Sequence, residues 1–205
     1  NQVRDMNKQV FDETANFSEL TTWTLGHNSV FTVPERDQYT INMKSMDGDL
    51  KRVITRPFQP RKRQQEDKDD LTDGMVMVMN GERVEMETKI LDTDQAVLAL
   101  NAASDGRLFV QNCYHATKLL PEGSAARFDV IDADGNFLEE LTLEVPGFDA
   151  KQDALAFLDG EYFLYLKGIE AASKSMRSRF TGDDGNEDET EEVEPLEIVF
   201  CRMPQ

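Results

Sequence analysis

Cys113, Tyr114 and His115 stand in a row in this 205-residue chain, which puts a thiol and an imidazole two positions apart. Nucleophilic catalysis by such a pair needs the imidazole within hydrogen-bonding reach of the thiol and a third group to orient it. Residues i and i+2 of a strand share a face, so contact between the two is open. No oxyanion-stabilising feature stands near them, and the pair is read as non-catalytic. The other histidine, His27, falls in a loop after an expected first strand and on the opposite face from His115, which argues against a two-histidine metal site. The sequence contains no Gly-x-Ser-x-Gly, P-loop or His-Glu-x-x-His pattern. No residue is therefore assigned as catalytic, cofactor-binding or metal-ligating, and no cofactor is expected.

Two acidic stretches invite a calcium reading. Asp132-Ala133-Asp134-Gly135-Asn136 looks like the start of an EF-hand loop, but that loop needs glycine at position 6 and a carboxylate at position 12. Here glycine comes fourth and the twelfth residue is Leu143, so the segment is read as a hairpin turn whose Asp and Gly supply tight-turn geometry. Asp183, Asp184, Glu187 and Asp188, with the glutamates up to Glu194, offer clustered oxygens to a cation; a solvated acidic loop explains them as well. Cys113 and Cys201 are expected at opposite ends of their sheets, beyond disulfide reach, and hence as two free thiols. Arg52, Arg56, Arg61, Lys62 and Arg63 concentrate positive charge. They suit either an exposed fourth strand with gatekeeping charges or pairing with an acidic partner, the chain's own carboxylates included; the first reading is preferred.

The whole chain is acidic, with 22 Lys+Arg against 40 Asp+Glu and a formal net charge of −18. Nucleic-acid recognition rests on cations that neutralise phosphates, so that partner is excluded. No apolar run approaches the roughly 18–20 residues that span a bilayer. The chain starts without Met and without a signal-peptide pattern, so any targeting segment is expected to lie outside it.

The elements that must position these residues are short runs of β-branched and aromatic residues between Asp-Gly, Asn-Gly and Pro breaks. Strands are predicted at residues 20–25, 29–33, 39–43 and 50–55, then at 96–100, 107–111, 127–131 and 137–143, then at 153–158, 161–166 and 196–201. Phe31, Phe109 and Phe163 fall at equivalent places on the second strand of each group, and Tyr39, Phe128 and Leu196 open the third. A repeated four-stranded antiparallel unit predicts an all-β fold of the β-propeller type, with about three blades and thus a partial ring; a β-sandwich is the alternative. The expected organisation is one domain over residues 1–205. It comprises a blade at 17–57, a charged insertion and hairpin at 58–89, a blade at 90–146, and a blade at 147–205 carrying an acidic loop at 173–195. Residues 61–73 read as a solvated loop or short exposed helix, and Asn80-Gly81 marks the turn of an extra hairpin.

The stretch from Trp23 to Arg63 resembles blades of six-bladed, TolB-like or NHL-type β-propellers of large bacterial proteins. So do the DGRLFV and FDVIDADGNFLEELTL segments between Ser104 and Leu143, and the close of the chain from Asp153 to Cys201. The resemblance implies the C-terminal half of a longer exported or membrane-anchored precursor, and therefore an extracytoplasmic location. The remaining blades, from that precursor or from another chain, would be its partners. The function expected is a non-catalytic scaffold or binding module, with a possible protein partner. The alternatives are a propeller hydrolase or lyase with a channel site shared with the missing blades, and a subunit of a surface assembly.

Overall fold

Short alternating strands closed by Asp, Asn and Gly turns pair readily with their neighbours in sequence, and the computed structural model is built largely from such local pairings. It describes residues 9–15, 18–26, 28–73, 77–79, 82–84, 86–158, 161–174 and 196–203. The chain begins with β1 (Gln9–Asp12), a 3-10 turn (Glu13–Ala15) and one turn of helix, α1 (Ser18–Thr21). An antiparallel meander follows: β2 (Trp23–Gly26), β3 (Ser29–Thr32), β4 (Thr40–Ser45) and β5 (Leu50–Thr55). Next come the polar helix α2 (Gln65–Asp73), the hairpin of β6 (Met77–Met79) and β7 (Glu82–Val84), and β8 (Met86–Lys89), which pairs parallel with β1. The second meander comprises β9 (Val97–Ala102), β10 (Leu108–Asn112), β11 (Ser124–Ile131) and β12 (Phe137–Glu144). A three-stranded sheet closes the described fold: β13 (Ala154–Phe157), β14 (Tyr162–Lys167) and β15 (Glu197–Arg202).

This arrangement corrects the expected architecture. The described residues form five separate open sheets, none closed into a ring, with helical segments between them. The protein is mixed α/β, not an all-β β-propeller, and the resemblance to six-bladed TolB-like or NHL-type propellers does not hold. The partial ring falls with it, as does the expectation that further blades from the same precursor or another chain complete it. The physical reason is one of range. Alternation and turn chemistry specify which strands pair within a meander, whereas ring closure depends on how successive sheets tilt against each other. Most strand positions lie within a few residues of those predicted, although residues 20–21 belong to α1, and residues 61–73, read as a solvated loop or a short exposed helix, contain the helix α2. The acidic stretch at 173–195 lies outside the described residues beyond Lys174.

The second meander is the structural centre because β11 is buried along almost its whole length. Ala126, Phe128 and Val130 point to one side, where they join Phe109, Phe163 and Tyr165 in a core shared with the β13–β15 sheet. Ile131, with Leu108 and Val110 of β10, points to the other side, into a core shared with Phe31, Ile41 and Ile54 of the first meander. Three sheets are thus packed in series. Among the described residues no helix is long and apolar enough to cross a membrane.

Candidate functional site

At one end of the junction between the two meanders, titratable groups from several elements converge. Asn112 ends β10 and caps the 3-10 turn Cys113–His115, its side-chain oxygen accepting from the Tyr114 N–H at 2.9 Å. That cap bends the chain inward and buries His115, which is 2% exposed. On β11 and β12, Asp129 and Glu140 are direct cross-strand partners, so both carboxylates stand on one face. Asp129 is 1% exposed and Glu140 about half exposed. The first meander contributes Tyr39, just before β4, and Arg56, just after β5, tied together by the Arg56 N–H donating to the Tyr39 carbonyl at 3.2 Å.

The contacts are close. His115 Nε2 lies 3.2 Å from Glu140 Oε2 and 3.3 Å from Asn112 Nδ2. Asn112 Nδ2 donates to Asp129 Oδ2 at 2.9 Å, and Arg56 Nη1 pairs with the same oxygen at 2.9 Å. The Arg56 guanidinium lies over the rings of Tyr39 and Phe137, 5.3 Å from each centroid. Arg127 Nη1 approaches Glu140 Oε1 at 3.4 Å. His115 Nδ1 is buried here without a hydrogen-bond partner, and the buried Tyr39 hydroxyl lies next to Asp129 and Arg56 without a well-aligned hydrogen bond to either. Burial first, and then the Asp129 carboxylate, push the Tyr39 phenol far above its usual pKa. It therefore stays protonated and neutral at any physiological pH. His115, Asp129 and Glu140 each offer one ligand atom, all within 4.8 Å of one another, which suits a divalent cation.

Of the sequence candidates, the Cys113–His115 pair is present on one turn but is not wired for nucleophilic attack. The imidazole faces Asn112 and Glu140, while Cys113 Sγ accepts the Arg61 N–H at 3.3 Å and burial raises its pKa. His27 lies outside the described residues, as do Asp183 to Glu194. Cys113 and Cys201 are both free thiols, as expected. Asp132 to Asn136 is the hairpin turn that its composition predicted: Asp132 Oδ1 accepts the Asp134 and Asn136 N–H groups at 2.9 and 2.8 Å, and Gly135 has φ +84°.

The basic cluster departs from its preferred reading. Arg61 and Arg63 follow β5 and are largely buried among carboxylates of this chain. Arg63 binds Glu13 through both terminal nitrogens, at 2.7 and 2.9 Å, and Asp94 at 2.8 Å. Arg61 binds Asp94 at 2.6 Å and Asp67 at 2.9 Å. Arg52 donates to the Ala133 carbonyl at 2.9 Å. Lys62 forms an isolated bridge to Thr93 through its backbone.

Asp129, Glu140 and Tyr39 were missed as site residues. Asp129 carried a usable signal, being an acid set inside the otherwise apolar run Phe128–Ile131; Glu140 carried none, because Glu139 and Glu140 read alike as solvated charges.

Comparisons with known proteins give little to add. No protein-family model matches the chain, and no curated protein matches it. Among solved structures it is similar to a protein of unknown function from Bacteroides caccae, at 15% identity and a TM-score of 0.21. The similarity covers 78% of this chain and 52% of that one, so the chain spans about half the length of that protein. A TM-score so low carries no argument about the fold.

Proposed function

We propose that the protein is a non-catalytic binding module whose partner is another protein, engaged through the outer face of the β13–β15 sheet. One observation carries this reading. Cross-strand register puts Leu166 beside Ala154 and Ile198, and Leu164 beside Ala156 and Phe200, all on one face. The opposite face, with Phe163, Tyr165 and Leu155, is the one that packs into the core. Ile198 and Phe200 are 58% and 63% exposed, and the Phe200 ring stacks on Tyr162 at 5.0 Å. At one end of the patch Arg202 stands beside Tyr162 and pairs with Glu161, and at the other end the Lys167–Glu197 pair follows on the opposite face of the sheet. An apolar centre with a charged rim is the anatomy of a protein interface. The net charge of −18 sets two copies of this chain against each other and favours a neutral or basic partner.

A photo-crosslinking residue placed at Leu166 tests the reading in the source cells, with the trapped protein identified by mass spectrometry and then purified. The expected result is a titratable complex that weakens at least tenfold in the Ile198→Glu, Phe200→Glu double variant. Both positions are exposed, so the variant keeps the wild-type circular dichroism. A crosslink only between copies of this chain, or a purified candidate that binds both forms equally, overturns the proposal.

A further inference from the structure

We propose that His115, Asp129 and Glu140 form a binding site for a divalent transition metal, with zinc the best match. The inference is independent of the docking face. Three observations carry it. The first is that two carboxylates stand directly opposite each other on adjacent strands, a placement that is destabilising for like charges, and Asp129 is buried as well. The second is a conflict at His115 Nε2. Asn112 Nδ2 approaches it as a donor and Glu140 Oε2 as an acceptor, and no protonation state of one nitrogen suits both. A cation accepting the Nε2 lone pair and the Glu140 oxygen removes that conflict. The third is the Tyr39 hydroxyl, buried next to Asp129 without a well-aligned hydrogen bond, so that it can donate to a carboxylate oxygen or to a metal-bound water.

The donor set decides the metal. Calcium and magnesium prefer all-oxygen shells, whereas one imidazole nitrogen with two carboxylates fits zinc and leaves a fourth position for water. Arg56 and Arg127 serve as the counter-charges of Asp129 and Glu140, so a metal competes with them. Arg56 is partly exposed and can turn to solvent. That competition yields a prediction with a sign: removing Arg127 strengthens metal binding, because Glu140 loses a rival cation.

The test titrates Zn²⁺, and separately Ca²⁺ and Mg²⁺, into the purified chain after chelator treatment, using calorimetry. One Zn²⁺ per chain is expected, with Ca²⁺ and Mg²⁺ weaker by about a hundredfold or more. Glu140→Gln, at a half-exposed position, should leave the unfolding temperature of the metal-free protein near wild type and weaken Zn²⁺ at least tenfold. Arg127→Gln should bind several times more tightly. The chain has only 2 histidines, so imidazole ¹⁵N spectra read the site directly: the His115 resonances move on Zn²⁺ addition and those of His27 do not. Zn²⁺ binding that leaves the His115 ring unmoved, or that Glu140→Gln does not weaken, places the ion on other acidic groups and overturns the proposal. Absence of stoichiometric binding does the same.

Discussion

Gly106 and Ala133 show how single residues set the packing of this protein. Gly106 turns the chain between β9 and β10 at φ +91°, and a Cβ there would come within 3.0 Å of the Ala133 Cβ in the neighbouring β11–β12 turn. Gly48 has almost the same backbone, at φ +94°, with nothing within 4 Å. The two positions therefore separate backbone strain from crowding. Gly48→Ala should cost about 1 kcal/mol, the usual penalty for a side chain in the left-handed region. Gly106→Ala should cost about 2–3 kcal/mol, because two adjoining turns must also move apart. Urea unfolding of both variants measures the difference; equal costs would show that the turns part freely. At this scale the sequence was legible wherever one residue explains itself. Asp132 with Gly135 announced a turn because an Asx side chain and a left-handed glycine act within five residues. His115 was visible as a reactive type, but its meaning depends on Asp129 and Glu140, which only the pairing of β10, β11 and β12 brings to it.

The same limit governs whole elements. The strands were readable because alternation and turn chemistry are local, yet the role of the arginines was not, because their partners lie far away in sequence. Glu13, on the 3-10 turn after β1, accepts from Arg63, from Arg36 at 2.9 Å and from the Leu91 N–H at 2.8 Å. This one carboxylate ties the first strand to the loop before β4, the segment after β5 and the loop before β9. Burial alone would raise its pKa, but those hydrogen bonds outweigh it and bring the group from 4.5 down to about 2. Hydrogen bonds from Arg61 and then Lys118 likewise hold Asp67 below the usual carboxylate range. Glu13→Gln should cost about 2–3 kcal/mol at neutral pH, less than for a fully buried pair since the cluster keeps some contact with water. The pH dependence has a definite sign. The folded carboxyl ionises at lower pH than the unfolded one, so its contribution is complete above about 4.5 and is lost as the pH falls towards about 2. The gap in unfolding temperature between wild type and Glu13→Gln should therefore be widest near neutrality and close across that acidic window. A gap that stays constant down to pH 2 would mean that the ionised carboxylate contributes nothing.

For the molecule as a whole, the question is whether three sheets packed in series behave as one cooperative unit. Repetition along the sequence predicted blades of a ring, but the sheets stay open, since nothing local in a meander records how the next sheet is tilted. What joins them is β11, which faces two cores at once. Phe128, fully buried, meets Phe109 edge-on at 6.0 Å and Phe157 of β13 at 4.9 Å. Ile131, on the opposite face of the same strand, belongs to the core shared with β3, β4 and β5. A strand shared between two cores cannot be loosened on one side without disturbing the other, because its backbone hydrogen bonds serve both. Phe128→Ala should accordingly cost about 3–5 kcal/mol and lower the unfolding temperature by roughly 10 °C, in a single transition. Amide hydrogen exchange provides the decisive reading. If the molecule unfolds as one unit, protection of Phe31 and Ile41 in the first meander falls along with that of Phe163 and Tyr165, although Phe128 belongs to none of those three strands. Protection that drops in the β13–β15 sheet alone, with Phe31 and Ile41 unchanged, would show that β11 does not couple its two faces and that the first meander is stable without it.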